Sequence, residues 1–400
     1  MKRASSILRK KTRRNCYFGI ALVATLAVSA CSQSTDAAES TGDASTAYAY
    51  AGTEADTNAA RSAGELAAAK AGGSTDLPAA KKVGLILLSG QSASSVRIET
   101  AVKQIAQLLN WEVTTCDPDF DTQKLQQCAT SILSQGPDLI ISASQNPTQV
   151  ASALQTARDR GIPWFGTLSG GTQVAGFYDY GIDGTKLAEI TNDWMLSRLK
   201  VPNPSRSQQI LAFTAPTVGV ANLNQQEQLV SDVNASGSAE LAVVHDINLS
   251  NAAQDVLSTT TQTLQQRRDL GAVWTVCDFC LPLISQAVRQ AQAGDRSTMI
   301  VGTFSTPASI DGIRSGAIDA VGEYAWETQA WAAVDQALEY MARGTAIAPD
   351  FSVFDTYGAG LMKPYILDKE SVGATGSGPI LGADYEAFFR AKWKTEFGVA

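Results

Sequence analysis

Residues 82–109, KVGLILLSGQSASSVRIETAVKQIAQLL, contain an apolar run, a polar loop and an amphipathic segment in succession. The run from Val83 to Leu88 has no polar side chain, which is typical of a strand buried on both faces of a sheet. After the loop, apolar residues recur at helical spacing: Val102, Ile105, Ala106, Leu108 and Leu109. The stretch therefore predicts one strand and one helix of an α/β sheet.

The same alternation continues along the chain and then starts again. Further strands are predicted at 111–115, 139–141 and 161–165, with helical patterns between them. After Pro202 and Pro204, strands are predicted at 210–213, 241–244, 272–276 and 299–302. Strict strand–helix alternation favours parallel sheets with helices on both faces. The sequence thus predicts an α/β fold of two doubly wound parallel-sheet lobes, with a ligand cleft outside the carboxyl ends of their strands.

The first 30 residues have the features of an export signal. Seven Lys and Arg residues between positions 2 and 14 precede an apolar run, Tyr17 to Ala30, which is too short to span a bilayer. The run ends Val-Ser-Ala-Cys, which resembles the lipobox of bacterial lipoproteins, with Cys31 as the acylated residue. An ordinary secretory signal followed by an accidental cysteine is the alternative. The prediction is a cell-envelope protein, outside the cytoplasm and bound to the membrane only through lipid on Cys31.

Residues 31–79 are rich in Ala, Ser, Thr, Gly and Asp, which predicts a flexible linker between the lipid and the folded body. Loss of residues 1–30, which contain seven basic and no acidic side chains, changes the net charge from −8 to about −15. A strongly acidic protein lacks the basic surface that nucleic acid requires. Nucleic acid is therefore excluded as a partner, and a monomer is expected.

Several segments resemble the type I periplasmic binding protein superfamily, in its ribose- and galactose-binding branch. The similar segments, in chain order, are 82–86, 135–141 (QGPDLII), 157–163 (ARDRGIP), 270–278 (LGAVWTVCD), 311–316 (DGIRSG) and 320–324 (AVGEY). The resemblance covers about residues 81–370 and rests on the order and spacing of these segments.

The resemblance implies a venus-flytrap fold with a hinge of three crossings, expected near 180–184, 304–324 and 363–372. It assigns 80–182 and 324–350 to an N-terminal lobe and 183–323 and 365–400 to a C-terminal lobe, with 351–364 as a connecting segment. It also implies delivery of a small polar ligand, a sugar, polyol or nucleoside, to the permease of an ATP-driven (ABC) importer. A lipoprotein that senses a signal molecule for a membrane receptor would use the same fold.

Ligand contacts are expected just past the strand ends and at the crossings. Flat aromatic faces and planar amides or carboxylates are the groups that hold sugars. In the first lobe the candidates are Gln91, Ser92, Ser144, Asn146, Trp164 and Thr167. In the second lobe and at the crossing they are Asn222, Asp278, Phe279, Glu323, Tyr324 and Trp326.

Several of these candidates have a structural alternative. Asp278 stands where the superfamily carries its hydroxyl-binding acid, although it could cap a helix instead. Asn146 could likewise cap the helix that follows it, Trp164 could belong to the core, and Tyr324 and Trp326 could pack at the hinge. Segment 220–227 (VANLNQQE) lacks the arginine found there in many sugar-binding members, so modified sugars and other small polar molecules stay open.

The cysteines predict disulfides more readily than catalysis. Beyond Cys16 and Cys31, four remain in an exported protein, and their spacing suggests the pairs Cys116–Cys128 and Cys277–Cys280. The alternatives are free thiols or, for the Cys-Asp-Phe-Cys segment, a redox site, although an acid next to a thiolate is unfavourable. With one histidine, His245, neither a zinc site nor a Ser-His-Asp triad is expected. The chain is predicted to be a binding protein without cofactor or metal, and not an enzyme.

Overall fold

The computed structural model describes residues 48–79, 81–172, 174–199, 208–292, 296–374 and 378–399. The predicted signal segment and Cys31 lie outside these ranges. Within the described ranges, no helix combines the length and the apolar character that a bilayer span requires.

The first lobe is built on five parallel strands in the order β3-β2-β4-β5-β6. Its central strand β4 is buried at every residue, as the unbroken apolar runs predicted. In chain order, the elements to the end of this sheet are β1 (Tyr48–Tyr50), α1 (Glu54–Lys70), β2 (Lys82–Ile86), α2 (Ala93–Leu109), β3 (Glu112–Cys116), α3 (Thr122–Ser134), β4 (Leu139–Ala143), α4 (Ala151–Asp159), β5 (Trp164–Thr167) and β6 (Phe177–Asp179).

The second lobe is built on six strands in the order β12-β11-β10-β9-β7-β8, of which only β12 runs antiparallel to its neighbour. The predicted two-lobe α/β architecture is confirmed. The remaining elements are α5 (Gly184–Arg198), β7 (Gln208–Thr214), α6 (Val220–Ser236), β8 (Ala239–Asp246), α7 (Ala252–Gln266), β9 (Leu270–Thr275), α8 (Cys280–Ala291), β10 (Met299–Thr303), α9 (Pro307–Ser315), β11 (Ala320–Glu323), α10 (Glu327–Arg343), β12 (Tyr365–Asp368), β13 (Gly378–Ile380) and α11 (Tyr385–Phe397).

The described chain passes between the lobes four times, and the expectation of three crossings is wrong. It crosses at 180–183, 324–326 and 358–364, close to the predicted places, and once more between β12 and β13. The fourth crossing exists because α11 packs against α10 of the first lobe instead of ending the second. Several short connections on one side of a cleft restrict the lobes to a hinge-like motion.

Assignment of 365–400 to the C-terminal lobe is therefore correct only for its first part. Strand β12 belongs to the second sheet, but Phe388, Phe389 and Trp393 of α11 are buried in the first-lobe core. The Trp393 ring stacks on Trp331 of α10 with centroids 5.0 Å apart. The proposed connecting segment 351–364 also contributes to that core, since the rings of its short 3₁₀ helix pack against one another and on α11.

The described part of the predicted linker, 48–79, is folded, and we call it the N-terminal arm. Strand β1 pairs in parallel with β13, and α1 packs along α11. The contact is close because the buried face of α1 is made of small residues, and a side chain at Gly64 would strike the carbonyl oxygen of Phe388. The Thr57 hydroxyl donates to the Asp384 carboxylate over 2.8 Å. The low hydrophobicity of this segment predicted a flexible tether. In the structure it arises because the buried face of α1 consists of small residues, which allow close helix packing.

The N-terminal end of the arm, at Tyr48, lies beside the second lobe. The Tyr48 hydroxyl donates to the backbone oxygen of Ser305 over 2.8 Å, and the Tyr48 ring lies 3.8 Å from the Arg97 guanidinium carbon. Arg97 belongs to α2 of the first lobe, whereas Ser305 follows β10 of the second. The first described strand thus contacts both lobes.

Candidate functional site

The two sheets present the carboxyl ends of their strands to a common cleft. A cavity of about 50 Å³ lies there, and a wider pocket of about 290 Å³ adjoins it and shares Leu88, Phe120, Ser144, Val218 and Leu249. The smaller cavity has the room of about one or two water molecules. Its lining comes from both lobes: Leu88, Ser92, Ser94, Phe120, Ser144, Ala215, Val218, Asn222, Ile247, Leu249, Val276, Cys277, Asp278, Phe279 and Phe304.

Asp278 joins the lobes across this cleft. One of its carboxylate oxygens accepts hydrogen bonds from the Ser92 hydroxyl and the Ser94 amide, both at 3.2 Å. These donors lie at the N-terminus of α2, whose dipole favours a negative charge. Burial raises the pKa of Asp278, and the hydrogen bonds from the Ser94 and Phe279 amides oppose that effect. The carboxylate thus meets only neutral donors.

Aromatic rings form the walls of the same cavity. Phe120 of the first lobe faces Phe279 of the second with ring centroids 5.9 Å apart. Phe304 follows β10 and packs on Trp326 at 4.6 Å between centroids. Among the described residues that line the cavity and the adjoining pocket, none is Lys, Arg or His. The site therefore combines hydroxyl, amide and carboxylate groups with flat apolar surfaces.

Three lining residues have a backbone conformation that L-residues rarely adopt. Phe120 lies in the loop after β3 with φ 61°, Ser144 follows β4 with φ 53°, and Phe304 follows β10 with φ 67°. Such conformations cost about 1–3 kcal/mol each and cluster at functional sites. All three occur in connections that follow strand ends at the cleft.

Five of the predicted contact residues come together in the cavity: Ser92, Ser144, Asn222, Asp278 and Phe279. Ser94, Phe120 and Phe304 also line the cavity and were not among the predicted contact residues. Phe120 follows β3 after a short loop and Phe304 follows β10 directly, so the rule of strand ends could have found both.

Trp164 and Thr167 lie in the first-lobe interior and not at the cavity. The Trp164 indole nitrogen donates to the Ser142 hydroxyl over 2.9 Å, and the Thr167 hydroxyl donates to the Ser142 backbone oxygen over 3.2 Å. Both side chains are fully buried. Trp164 points away from the cleft because it occupies the start of β5, among the residues that α3 and α4 cover.

The crossing residues lie behind or beside the cavity. Glu323 accepts from the Ser305 amide over 2.8 Å and pairs with Arg97 at 3.4 Å, and burial raises its pKa to about 7. The Tyr324 hydroxyl donates to the backbone oxygen of Asp183 and lines a separate hinge pocket of about 370 Å³. Trp326 supports Phe304 from behind. Glu323 and Tyr324 are thus bonded to partners at the hinge, and the Trp326 ring packs there against Phe304.

Gln91 and Asn146 form hydrogen bonds with other loop residues. The Gln91 side-chain amide donates to the Asp119 carboxylate over 2.8 Å on the exposed rim. Asn146 caps the 3₁₀ turn that begins at Pro147, where it accepts from the Thr148 amide over 3.1 Å. The capping alternative for Asn146 therefore describes its contacts.

Replacement of Trp164 by phenylalanine provides a direct check on this placement. We expect the free energy of unfolding to fall by about 1–3 kcal/mol, because the variant loses an indole ring segment and leaves the Ser142 hydroxyl without its donor. Ligand affinity should stay within about threefold of the wild type, a change of under 1 kcal/mol. Urea unfolding and titration calorimetry measure the two quantities. A large loss of affinity at unchanged stability would instead indicate that Trp164 contacts the ligand in the cleft.

The family described as "Periplasmic binding protein domain" matches residues 83–346. The chain belongs to this periplasmic binding protein family. No curated protein matches the sequence. Membership identifies the chain as a solute-binding protein that works outside the cytoplasm, and not as an enzyme.

Solved structures of other periplasmic binding proteins have the same fold. The myo-inositol binding protein of Caulobacter, bound to myo-inositol, aligns with a TM-score of 0.62 at 16% identity, over 73% of this chain and 94% of that one. A solute-binding protein of Actinobacillus succinogenes with D-allose gives 0.62 at 14% identity, over 72% and 98%. One from Agrobacterium vitis with allitol gives 0.62 at 16%, over 73% and 96%. At these identities the likeness establishes the fold.

Both predicted disulfides are present in this periplasmic binding protein, as Cys116–Cys128 and Cys277–Cys280. His245 contacts the Asp255 carboxylate at 2.8 Å on the outer part of the second lobe, away from the cavity lining.

A buried cluster of charges joins α10 to α11. Asp335, Glu339 and Glu396 approach closely enough to hold a metal ion, but the Lys392 ammonium lies among them, at 2.8, 2.7 and 2.9 Å. Burial alone would lower the pKa of Lys392, and the three carboxylates raise it overall. Burial also raises the pKa of Glu396, to about 8, against the opposing effect of Lys392. The lysine thus occupies the position that a cation would take, and the cluster is a structural link.

Proposed function

We infer that the protein is the lipid-anchored solute-binding component of an ABC importer and that it captures a neutral sugar or polyol between its lobes. The observation that carries this inference is the Asp278 carboxylate, which is buried in the cleft and faces the N-terminus of α2 across it. A ligand hydroxyl can replace the Ser92 and Ser94 donors, because it can donate to the carboxylate and accept from the helix amide at once.

The charge of the cleft favours a neutral ligand. In the small cavity the one carboxylate, Asp278, is balanced by the N-terminus of α2, and the described lining of the cavity and the adjoining pocket supplies no cationic side chain to an acid or a phosphate. The rings of Phe120, Phe279 and Phe304 suit the apolar face of a sugar ring or an inositol. The ligands of the structurally similar proteins, myo-inositol, D-allose and allitol, are neutral polyhydroxyl compounds of this kind.

Binding by lobe closure fits a cleft that both lobes line. The cavity of about 50 Å³ and the adjoining pocket of about 290 Å³ lie between the lobes, and separation of the lobes would open both to a ligand. Contacts from both lobes then favour a closed state with the ligand inside. The closed form is the species that we expect to dock on the permease. The export signal at 1–30 and Cys31 support attachment to the membrane by lipid.

The test is a binding panel on the purified mature protein with D-ribose, D-galactose, D-allose, allitol and myo-inositol. A ligand at about 100 times its dissociation constant should add about 2.7 kcal/mol to stability, visible as a thermal shift. Calorimetry then gives the affinity. A panel without any shift, on protein shown to be folded, would reject a neutral sugar or polyol as the ligand.

Asp278→Asn is expected to weaken the best ligand of that panel by at least about tenfold, or ~1.4 kcal/mol, because it replaces a charged acceptor by a neutral one. Asp311→Asn is the matched control, since Asp311 is an exposed carboxylate of the same lobe on α9. The two variants should differ in affinity and not in fold. Equal affinities would show that the ligand does not use Asp278.

A further inference from the structure

The Cys277–Cys280 bridge encloses the two second-lobe side chains that face the cleft most directly. Between the cysteines lie only Asp278, which contacts α2, and Phe279, which faces Phe120. The connection between the end of β9 at Thr275 and the start of α8 at Cys280 consists of these two residues and of Val276 and Cys277 before them. A covalent ring of this size leaves the enclosed backbone few conformations.

The two ends of the bridge have different surroundings. Cys277 lines the cavity, whereas Cys280 is fully buried and begins α8 beside the core residues Leu281 and Ile284. The bridge therefore ties the cleft-facing loop to the core of the second lobe. Cα atoms 5.2 Å apart hold both ends of the loop together.

The helix start offers no other fixation of comparable strength. Phe279 is the N-cap of α8 and supplies no side-chain hydrogen bond to the helix. Most helix starts are fixed by a Ser, Thr, Asp or Asn side chain at that place. Asp278 does not take over this function, because its oxygens are bonded to the Phe279 amide at 2.7 Å and to α2 of the other lobe. Hydrogen bonds from the Cys280 amide to the Cys277 backbone oxygen over 3.2 Å and from the Cys277 amide to the Thr275 hydroxyl over 3.1 Å also hold the loop, and the disulfide adds the covalent constraint.

We propose that the Cys277–Cys280 disulfide is a positioning element of the ligand site, which holds the Asp278 carboxylate and the Phe279 ring in the directions that ligand binding needs. The inference rests on the proposed function, since it concerns the same cleft. Fixing binding groups in advance removes an ordering cost that would otherwise reduce the affinity. Without the bridge, the protein keeps its fold and holds its ligand less tightly.

The test compares Cys277→Ala/Cys280→Ala with the wild type by two measurements. The first is the affinity for the tightest binder among D-ribose, D-galactose, D-allose, allitol and myo-inositol, which should fall by about tenfold or more. The second needs no ligand: amide hydrogen exchange at Phe279, whose N–H donates to the Asp278 carboxylate, should become faster. Val288→Ala is the control, because it weakens the buried face of the same helix away from the cavity.

A double-mutant cycle with Asp278→Asn separates positioning from general destabilisation. If the bridge acts through Asp278, its loss should cost much less affinity in the Asp278→Asn variant than in the wild type. Affinity within about threefold of the wild type together with unchanged exchange at Phe279 would overturn the proposal. An equal loss of affinity in Val288→Ala would overturn it too. If none of the five compounds binds, the proposed function fails, and exchange at Phe279 still decides whether the bridge positions the loop.

Discussion

Replacing Lys392 with methionine is expected to lower the free energy of unfolding by about 3–5 kcal/mol, because it leaves the buried carboxylates of Asp335 and Glu396 without their cation and Glu339 paired with Arg343 alone. Asp335 and Glu396 are fully buried, and the Lys392 ammonium donates a hydrogen bond to each of them and to Glu339. Methionine fills a similar volume, so the expected loss comes from charge and hydrogen bonding. Denaturant unfolding monitored by tryptophan fluorescence measures it, since Trp393 also donates to Asp335.

Lys394→Met is the matched control for this variant. Lys394 lies two residues further on the same helix and is exposed, so its replacement should change stability by less than about 0.5 kcal/mol. The loss in Lys392→Met should also grow with pH. Loss of the lysine removes the charge that lowers the pKa of Asp335 and Glu396, so their folded-state pKa values rise further above the unfolded values. The folded protein then binds more protons, and stability falls as pH increases. Similar stabilities of the two variants between about pH 5 and pH 8 would contradict the electrostatic role of Lys392.

Removal of the N-terminal arm is expected to have the second large effect. A chain that begins at Lys81 should lose about 3–5 kcal/mol, because the face of α11 that α1 covers becomes exposed to water. The Tyr48 contacts to Ser305 and Arg97 disappear with it. Denaturant unfolding measures the loss, and binding of a hydrophobic dye reports the uncovered surface. Unchanged stability would mean that the arm contributes nothing to the folded body.

A point substitution separates the packing of the arm from its mere presence. Gly64→Leu should detach α1, since a side chain at that position meets the backbone of Phe388. Glu65→Leu changes the next residue, which is exposed on the same helix, and should leave the arm in place. Protease cleavage within 48–79 is expected to be faster in Gly64→Leu alone.

The sequence predicted the strands of both sheets because buried parallel strands are unbroken apolar runs. It did not predict the arm, since Ala60, Gly64 and Ala67 bury little area each and their value lies in close contact with a distant helix. Nor could it assign α11 to a lobe. An apolar helix face indicates that the helix packs against another element, and only the folded structure shows which element that is. Lys392 of α11 bonds to Asp335 of α10, which is 57 positions earlier in the sequence. Asp384, at the start of α11, bonds to Thr57 of α1, which is 327 positions earlier.

The sequence could predict cavity residues that directly follow strands. It could not predict residues whose place depends on the direction in which the side chain points. Ser144 and Asp278 follow strand ends and reach the cavity, as expected. Trp164 is as near to a strand end in sequence, but it is the first residue of β5 and not the last, so it points into the lobe. Glu323 pairs with Arg97 and accepts a hydrogen bond from Ser305, and no local pattern in the sequence predicts these distant partners.

The pairing of α1 with α11 has a consequence for the order in which the protein matures. Asp384 is 327 residues beyond its partner Thr57, so the arm emerges from the ribosome long before its binding surface exists. The second sheet has its last strand once Asp368 has been made, whereas the first lobe waits for Phe397. Contacts so distant in sequence form slowly. The lobe that is synthesised first is therefore the one that is completed last.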